Sequence, residues 1–263
     1  MNRWLLNTFT TWELGLIVVG GFILFAILGL VFFERYAPSL RRGEINDVAG
    51  VILGVLAAIY GIVLALVIVS LFDDFHQAKA DIRTEASALA MVYEDSRGFS
   101  PPVALEIKQH IGRYIVLVQN QEWRDLAHGQ ESPAAWNEID SLYKILQSYE
   151  PKTISQRAFY SEVVGRVNDL MAARRERLND AEEGIPSTFA VLLLFGAFLT
   201  LGFTFLFGVK DVRLHGAMAM AMAALIGLNL FVALELDYPF SGQISVSPAP
   251  YTQGALESFA PGR

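Results

Sequence analysis

The chain contains no cysteine among its 263 residues. Disulfide bonds and thiolate metal ligands are therefore excluded, and the sequence says nothing about the redox state of its compartment. Positive charge is also scarce, because 20 Lys and Arg residues stand against 27 Asp and Glu residues and give a net charge of −7. Nucleic acid is not an expected partner, since recognition of its phosphates requires a basic surface.

The sequence also lacks recognisable catalytic motifs. The histidines His76, His110, His128 and His215 form no HExxH or other metal-ligand spacing with acidic residues. A Gly-rich phosphate loop, a GxSxG elbow and the kinase signatures are missing as well. We therefore expect no enzymatic activity, no metal and no cofactor. His215 alone stands out, because it lies at the start of an apolar run and an imidazole titrates near neutral pH.

Apolar residues are abundant and make up 53% of the chain. Runs long enough to cross a bilayer occur at Leu14–Phe33, Val48–Phe72, Thr188–Val209 and Leu214–Glu235. The first run is not followed by a small-x-small cleavage site, so we expect it to be retained as an anchor. The sequence therefore predicts an all-α integral membrane protein with four transmembrane helices.

The composition changes along the chain indicate four segments. A first transmembrane pair is expected at 1–72, an extramembrane helical domain at 73–187, a second transmembrane hairpin at 188–235 and a C-terminal tail at 236–263. The hairpin is predicted because only Lys210–Arg213 separates its two spans. The tail is rich in Pro, Gly and Ser and is predicted to contain one short helix near Gln253–Phe259.

The inserted domain is predicted to be a bundle of four amphipathic helices. Phe75, Ile82 and Leu89 recur every seven residues, so the second span is expected to continue outward as a helix. Further helix starts are predicted at Ser100-Pro101-Pro102, at Ser132-Pro133 and at Thr153. The apolar faces expected inside the bundle comprise Val103, Ile107, Ile111, Tyr114, Ile115, Val118, Trp136, Ile139, Leu142, Tyr143, Leu146, Ala158, Phe159, Val163, Val167, Leu170, Met171 and Leu178.

The second span has a stripe of small residues at spacings of three and four, which places them on one helix face. In lipid, such a stripe allows close helix packing. Two interpretations are open: a seam inside one subunit, or a helix packed around the central axis of a homo-oligomer, where it lines a pathway. In the second, bulkier neighbours supply an apolar constriction that is gated by wetting. The candidate pore-lining residues are Gly50, Gly54, Val55, Ala58, Ile59, Gly61, Ile62, Ala65 and Leu66.

Acidic pairs lie at the ends of two spans on the same membrane boundary. Asp73 and Asp74 follow the second span, and Glu235 and Asp237 close the fourth. In an oligomer, either pair could form a ring of charge at a pore mouth, as in cation channels. The other interpretation is that they are solvated helix ends.

Polar groups at membrane depth tend to line cavities because they are costly in lipid. Asn229 lies well inside the fourth span, and Thr200 and Thr204 lie one turn apart in the third. For Asn229 the alternatives are a hydrogen bond between helices and a contribution to an ion filter.

Charged clusters in the inserted domain suggest structural roles. Arg174, Arg175 and Arg177 are expected on an exposed helix face, where they would pair with Glu176 and Glu182 at helical spacing or bind lipid headgroups. Glu85 is expected to form a salt bridge with an arginine of the last domain helix.

The charges flanking the spans favour opposite membrane orientations. One side of the membrane has Arg35, Arg41, Arg42, Lys210 and Arg213, which the positive-inside rule would place in the cytoplasm. On the domain side, Lys79, Arg83, Arg174, Arg175 and Arg177 argue for the reverse.

Several short motifs occur in a defined order along the chain. They are Asn46 with Gly50, Tyr60-Gly61 with Leu64-Ala65, Glu85-Ala86, Tyr114, Glu122-Trp123, Arg174 with Arg177-Leu178, Pro186, and Asp237-Tyr238-Pro239-Phe240-Ser241-Gly242. Together with the order of spans, insert and tail, they resemble the bestrophin-like domain proteins, a bacterial family of membrane proteins distantly similar to bestrophin channels.

The resemblance implies a homo-oligomer in the bacterial inner membrane, pentameric by analogy, whose second spans surround an ion path. Its expected partners are copies of itself, membrane lipid and inorganic ions. The second span lacks the run of bulky apolar residues that forms the bestrophin neck, and the tail lacks the acidic calcium-binding cluster. Two other functions remain open: a motor-type proton stator subunit, which would need a partner with a membrane Asp, and a non-conducting scaffold or sensor that binds a protein through its helical domain.

Overall fold

The computed structural model describes residues 2–37, 46–182, 184–209 and 211–260. Within these ranges the regular elements are helices, and none of the described residues forms a strand. The helices are α1 Asn2–Thr8, α2 Thr11–Tyr36, α3 Asn46–Asp95, α4 Pro101–Leu117, α5 Trp123–Leu126, α6 Pro133–Ser148, α7 Ile154–Glu182, α8 Ser187–Thr204 and α9 Val212–Leu236. Four stretches of helix are long and apolar enough to cross a membrane. The predicted all-α membrane protein with four spans is thereby confirmed.

The chain divides into two compact units. The first consists of Met1–Asp73, Gly184–Asp237 and Gly242–Ile244, and it contains the spans. The second consists of Asp74–Glu183, Tyr238–Ser241 and Ser245–Arg263. The tail is thus shared between the units, since its first two residues and Gly242–Ile244 belong with the spans.

Side-chain caps determine where the spans begin. At the start of α2, the Thr10 hydroxyl accepts a hydrogen bond from the Glu13 amide at 3.3 Å, and the Thr10 amide donates to the Glu13 carboxylate at 2.9 Å. This capping box satisfies amides that the first turn leaves without a helical partner. At the start of α9, the Asp211 carboxylate accepts from the amides of Arg213 and Leu214.

The third span is shorter than predicted. The helix was expected over Thr188–Val209, but α8 ends at Thr204. Beyond that point side chains satisfy the backbone: the Asn46 amide group both donates to and accepts from the Gly208 backbone, at 3.0 Å each. These bonds replace the helical ones, so the chain leaves the helix early. Lys210 of the predicted connection, and Arg41 and Arg42 of the first loop, lie outside the described residues.

Small residues do form a helix seam within the chain, but on the fourth span. Ala219, Ala223 and Gly227 follow one another every four residues on α9 and are buried. A Cβ on Gly227 would lie 3.0 Å from the Cα atom of Val19, so a glycine is needed for α2 and α9 to approach this closely. The intrasubunit seam considered for the second span is therefore found on a different helix.

The second unit buries the predicted amphipathic faces. α3 is unbroken from Asn46 to Asp95, which confirms the outward continuation of the second span. α4 and α6 begin at the predicted prolines, and the Thr153 hydroxyl caps α7 by accepting from the Gln156 amide at 3.1 Å. Ala158 and Phe159 were expected inside but are exposed, and the Phe159 ring packs against Gly98 at the edge of the bundle.

Two features of the second unit concern its connections. A π-helical turn at Val118–Glu122 follows α4 and was not predicted. In the tail, the short helix predicted near Gln253–Phe259 is present as a 3₁₀ helix, Gly254–Phe259, preceded by a second one, Ala249–Thr252.

Candidate functional site

The predicted pore-lining face of α3 is open along the membrane span. Over Val48–Phe72 only Ala49, Leu64 and Leu71 are buried. A Cβ atom on Gly54 or Gly61 would meet no described atom within 4 Å. The candidates with exposed side chains or backbone are Gly54, Val55, Ala58, Ile59, Gly61, Ile62, Ala65 and Leu66. Within the described chain this face is therefore free to contact lipid or other copies of the protein.

Gly50 departs from the rest of the stripe. It is half-buried, and a Cβ added to it would lie 3.8 Å from the Phe207 ring. The first turn of α3 therefore packs within its own unit, and the open face begins farther along the helix.

The open face of α3 combines small residues with bulky ones. α2 exposes bulky residues such as Leu28 and Phe32, and α8 exposes Leu192 and Phe195. Large apolar side chains suit contact with lipid tails, whereas glycine and alanine favour contact with another helix. α3 exposes Gly54 and Gly61 between bulky residues such as Ile59 and Ile62, so its open face suits contact with another helix as well as with lipid.

The acidic pairs are placed differently from each other. Asp73 and Asp74 are exposed, as the pore-mouth prediction requires. Glu235 and Asp237 are 4% and 3% exposed, and the Asp237 carboxylate accepts a hydrogen bond from the Ile185 amide at 2.6 Å. The second pair is thus engaged inside the chain rather than open to a pore mouth, and Asp237 fixes the segment that leads into the third span.

The in-membrane polar residues bond mainly to nearby backbone. Asn229 donates to the Leu225 carbonyl of its own helix at 2.8 Å, rather than to a neighbouring helix. Thr200 and Thr204 are buried, and the Thr204 hydroxyl donates to the Leu201 carbonyl. The buried His215 imidazole lies 2.9 Å from the Thr204 carbonyl oxygen and connects the end of α8 to α9.

A cluster of charged residues lies fully buried in the second unit. We call Glu85, Tyr114, Glu122, Arg174 and Arg177 the ionic cluster; each has 0% relative exposure. The Arg177 guanidinium donates to the Glu85 carboxylate at 2.6 Å, and the Arg174 guanidinium donates to Glu122 at 2.6 and 2.9 Å. The cluster has two carboxylates and two guanidinium groups, so it is electrically neutral.

Further contacts close the cluster into a ring. The Tyr114 hydroxyl donates a hydrogen bond to the Glu85 carboxylate and accepts one from Arg174 at 3.0 Å. Arg177 also lies 3.6 Å from Glu122. Because α3, α4, the π turn and α7 each supply a member, the ring connects all four elements through charge-assisted hydrogen bonds.

Aromatic side chains cover the ionic cluster. The Arg174 guanidinium lies 4.6 Å from the Trp136 ring centre, and Arg177 lies 5.6 Å from that of Trp123. Trp123 in turn donates its indole N–H to the Val246 carbonyl of the tail at 3.1 Å. Tyr251, also in the tail, packs edge-on against Trp123. Cation–π contacts of this kind gain strength when they are desolvated, so the cover stabilises the arginines.

The cluster corrects one prediction and confirms another. Arg174 and Arg177 were expected on an exposed face beside Glu176 and Glu182, but they are buried and pair with Glu122 and Glu85. Arg175 alone of the three is exposed. The predicted salt bridge of Glu85 with an arginine of the last domain helix is the one to Arg177.

Opposing effects act on the pKa of Glu85. Burial alone would raise it, but the positive charge of Arg177, its hydrogen bond, the charge of Arg174 and the Tyr114 hydroxyl outweigh burial and hold the pKa below the ordinary 4.5. Burial and the charge of Glu85 raise the pKa of Tyr114, so its hydroxyl remains a donor. The pKa of Arg177 is raised above its ordinary value by Glu85 despite burial, so the guanidinium stays charged.

This lowered pKa predicts a dependence of stability on pH. When the pKa of a carboxylate is lower in the folded than in the unfolded state, the carboxylate stabilises the fold at pH values above its unfolded-state pKa. This stabilisation is lost as the pH falls through the folded-state pKa. We expect the wild-type protein to lose more stability than Glu85→Gln when the pH is lowered from neutral to below 4.5. Hydrogen exchange of α4 and α7 amides at a series of pH values measures the difference. Equal losses in the two proteins would contradict an ionised Glu85.

Glu122 is the member of the cluster that the residue patterns missed. It lies in the π turn, where helical periodicity predicts its orientation poorly. One signal was available, since Glu122-Trp123 is among the motifs of the family resemblance, as are Glu85, Tyr114, Arg174 and Arg177. Among the residues that the structure describes, no group of three or more His, Cys, Asp or Glu side chains could hold a metal ion.

The spans and the helical insert define a multi-pass membrane protein of all-helical architecture. The sequence model of the Bestrophin-like domain family matches residues 20–251, and the chain therefore belongs to this family. A solved crystal structure of a membrane protein shares the fold, with a TM-score of 0.65, 11% sequence identity, and coverage of 93% of this chain and 95% of that chain. A search of curated proteins finds no match. The protein is thus a membrane protein related to bestrophins.

Proposed function

We propose that the protein is a homo-oligomeric channel that conducts inorganic ions passively through a pore lined by α3 of each copy. The observation that carries the proposal is the open small-residue face of α3, with Gly54 and Gly61 free of described neighbours within 4 Å. Helices in lipid associate through such faces, because small side chains allow backbones to approach closely. The intrachain seam uses α9 instead, which leaves this face for other copies.

The bulkier exposed residues of α3 supply the gate in this proposal. Val55, Ile59, Ile62 and Leu66 are between 55% and 66% exposed and recur at spacings of three and four. Repeated around an axis, they form a narrow apolar constriction, which excludes water until it widens. Asp73 and Asp74, exposed after the span, would form the ring of charge at one mouth.

The proposed location is the bacterial inner membrane, as for the family that the chain resembles. Membrane lipid and copies of the same chain are the proposed partners. Passive conduction involves no chemical reaction, because the ion crosses the membrane without covalent change. The proposed function therefore requires neither a reacting substrate nor a cofactor.

Ion flux from vesicles tests the proposal. We expect the purified chain in phospholipid vesicles to dissipate a potassium chloride gradient, followed with a voltage-sensitive dye. Gly61→Leu should lower oligomer content and flux by at least about tenfold, because the added side chain separates the helices. Gly202→Leu is the matched control, since a Cβ at this span glycine is equally unobstructed.

Two outcomes would contradict a channel. One is the absence of flux at every voltage and pH tested with protein that is correctly inserted. The other is a protein that is monomeric in mild detergent and still binds a partner protein. That result would favour the non-conducting scaffold or sensor.

A further inference from the structure

The spanning unit contains a cavity of about 420 Å³ between α2, α8 and α9. This volume is within the range of sites for small molecules. Its walls are almost entirely apolar and include Val18, Phe22, Leu193 and Leu230. The cavity has no place in ion conduction along α3, which contributes no residue to its lining.

The cavity is long and has one polar end. Along the chain its lining runs from Ile185, which precedes α8, to Phe198 within it, a span of roughly 20 Å at helical rise. The Asp237 carboxylate lies at the Ile185 end and accepts a hydrogen bond from the Ile185 amide. At the other end and along the side, Leu194 and Phe198 are 47% and 43% exposed, so the cavity opens toward the hydrocarbon. An apolar slot of this length that opens toward the hydrocarbon matches the shape of an acyl chain.

We propose that this cavity binds one acyl chain of a bilayer phospholipid. Water does not fill an apolar space in the bilayer core, and an empty space would forfeit the dispersion contacts of its walls. A helix of a second copy, about 10 Å in diameter, could lie across the mouth of the cavity but would not fill its depth. An acyl chain is narrow enough and is the most abundant apolar group at this depth.

Adjacent glycines provide a matched pair of variants. Gly21 lines the cavity, and a Cβ added there would meet nothing within 4 Å, so Gly21→Leu introduces a side chain at the cavity wall. Gly20 is equally unobstructed but does not line the cavity, which makes Gly20→Leu the control. Leucine favours the helix over glycine, so both variants should fold.

The experiment uses a phosphatidylcholine with a diazirine midway along one acyl chain. The full-length protein is reconstituted in vesicles with this lipid, irradiated and mapped by peptide mass spectrometry. We expect adducts on Val18, Leu193 and Leu230 in the wild type and in Gly20→Leu. In Gly21→Leu their yield should fall about tenfold, while adducts on the exposed Leu28 stay unchanged.

Equal wall adducts in the two glycine variants would overturn the proposal, as would wild-type adducts confined to exposed residues such as Leu28. A photo-leucine at Leu194 provides a second measurement. Its crosslinking to lipid supports the site, and its crosslinking to a second copy would overturn it. These readouts do not require ion flux, so a failure of the channel function would leave them interpretable.

Discussion

Replacing Arg177 by methionine should lower the free energy of unfolding of the second unit by about 3–5 kcal/mol. The substitution keeps much of the apolar volume but leaves Glu85 as a buried carboxylate without its guanidinium partner at 2.6 Å. A buried charge stripped of its partner cannot recover its hydration, so the loss far exceeds that of a surface salt bridge. Native-state hydrogen exchange of α4 and α7 in the full-length protein measures it.

Arg175→Met is the control on the same helix. Arg175 is exposed, so its replacement should change stability by less than about 0.5 kcal/mol. The double variant Glu85→Leu with Arg177→Leu should be more stable than Arg177→Met, because it removes both charges and leaves the neutral Glu122–Arg174 pair. If the double variant lost the sum of the losses measured for Glu85→Leu and for Arg177→Leu, the two residues would not be coupled.

The architecture of the chain was predictable because it depends on long and regular patterns. Bilayer-length apolar runs locate the spans, and seven-residue recurrence predicts the outward continuation of α3. Proline and threonine at helix starts act locally, so Pro101, Pro133 and Thr153 mark helix starts where expected.

The errors occur where tertiary contacts override a local pattern. An apolar sequence cannot show that Asn46 holds Gly208 and that the third span ends early. Arginines at helical spacing from Glu176 and Glu182 look like a solvated face, but Arg174 and Arg177 find carboxylates on other elements. One of those carboxylates, Glu122, depends on a π turn that periodicity does not predict.

The candidate pore residues were identified from spacing alone, and the choice between seam and pathway required the packing of the whole spanning unit. Small residues occur on both α3 and α9. Only the packed structure distinguishes Gly227, in close contact with Val19, from Gly54, with nothing described near it.

Labelling a cysteine placed at Ile62 should abolish ion flux. The chain has no cysteine, so the wild type serves directly as the unreactive background. Ile62 is 62% exposed on α3, in the proposed constriction. A bulky, charged thiol reagent attached there from every copy would occupy the narrowest part of the pore. We expect unlabelled Ile62→Cys to conduct and the labelled protein to lose flux by at least about tenfold in the vesicle assay.

Leu28→Cys distinguishes blockade from a general effect of labelling. Leu28 is 59% exposed on α2, a span that the proposal places against lipid, so both cysteine variants are labelled in detergent before reconstitution. Its modification should leave flux unchanged, and a reducing agent should restore flux in labelled Ile62→Cys when the adduct is a mixed disulfide. Should both labelled variants conduct normally, with labelling verified by mass, α3 would not line the pathway. Should Leu28→Cys be blocked instead, the ion path would run along α2, and the small-residue face of α3 would serve assembly only.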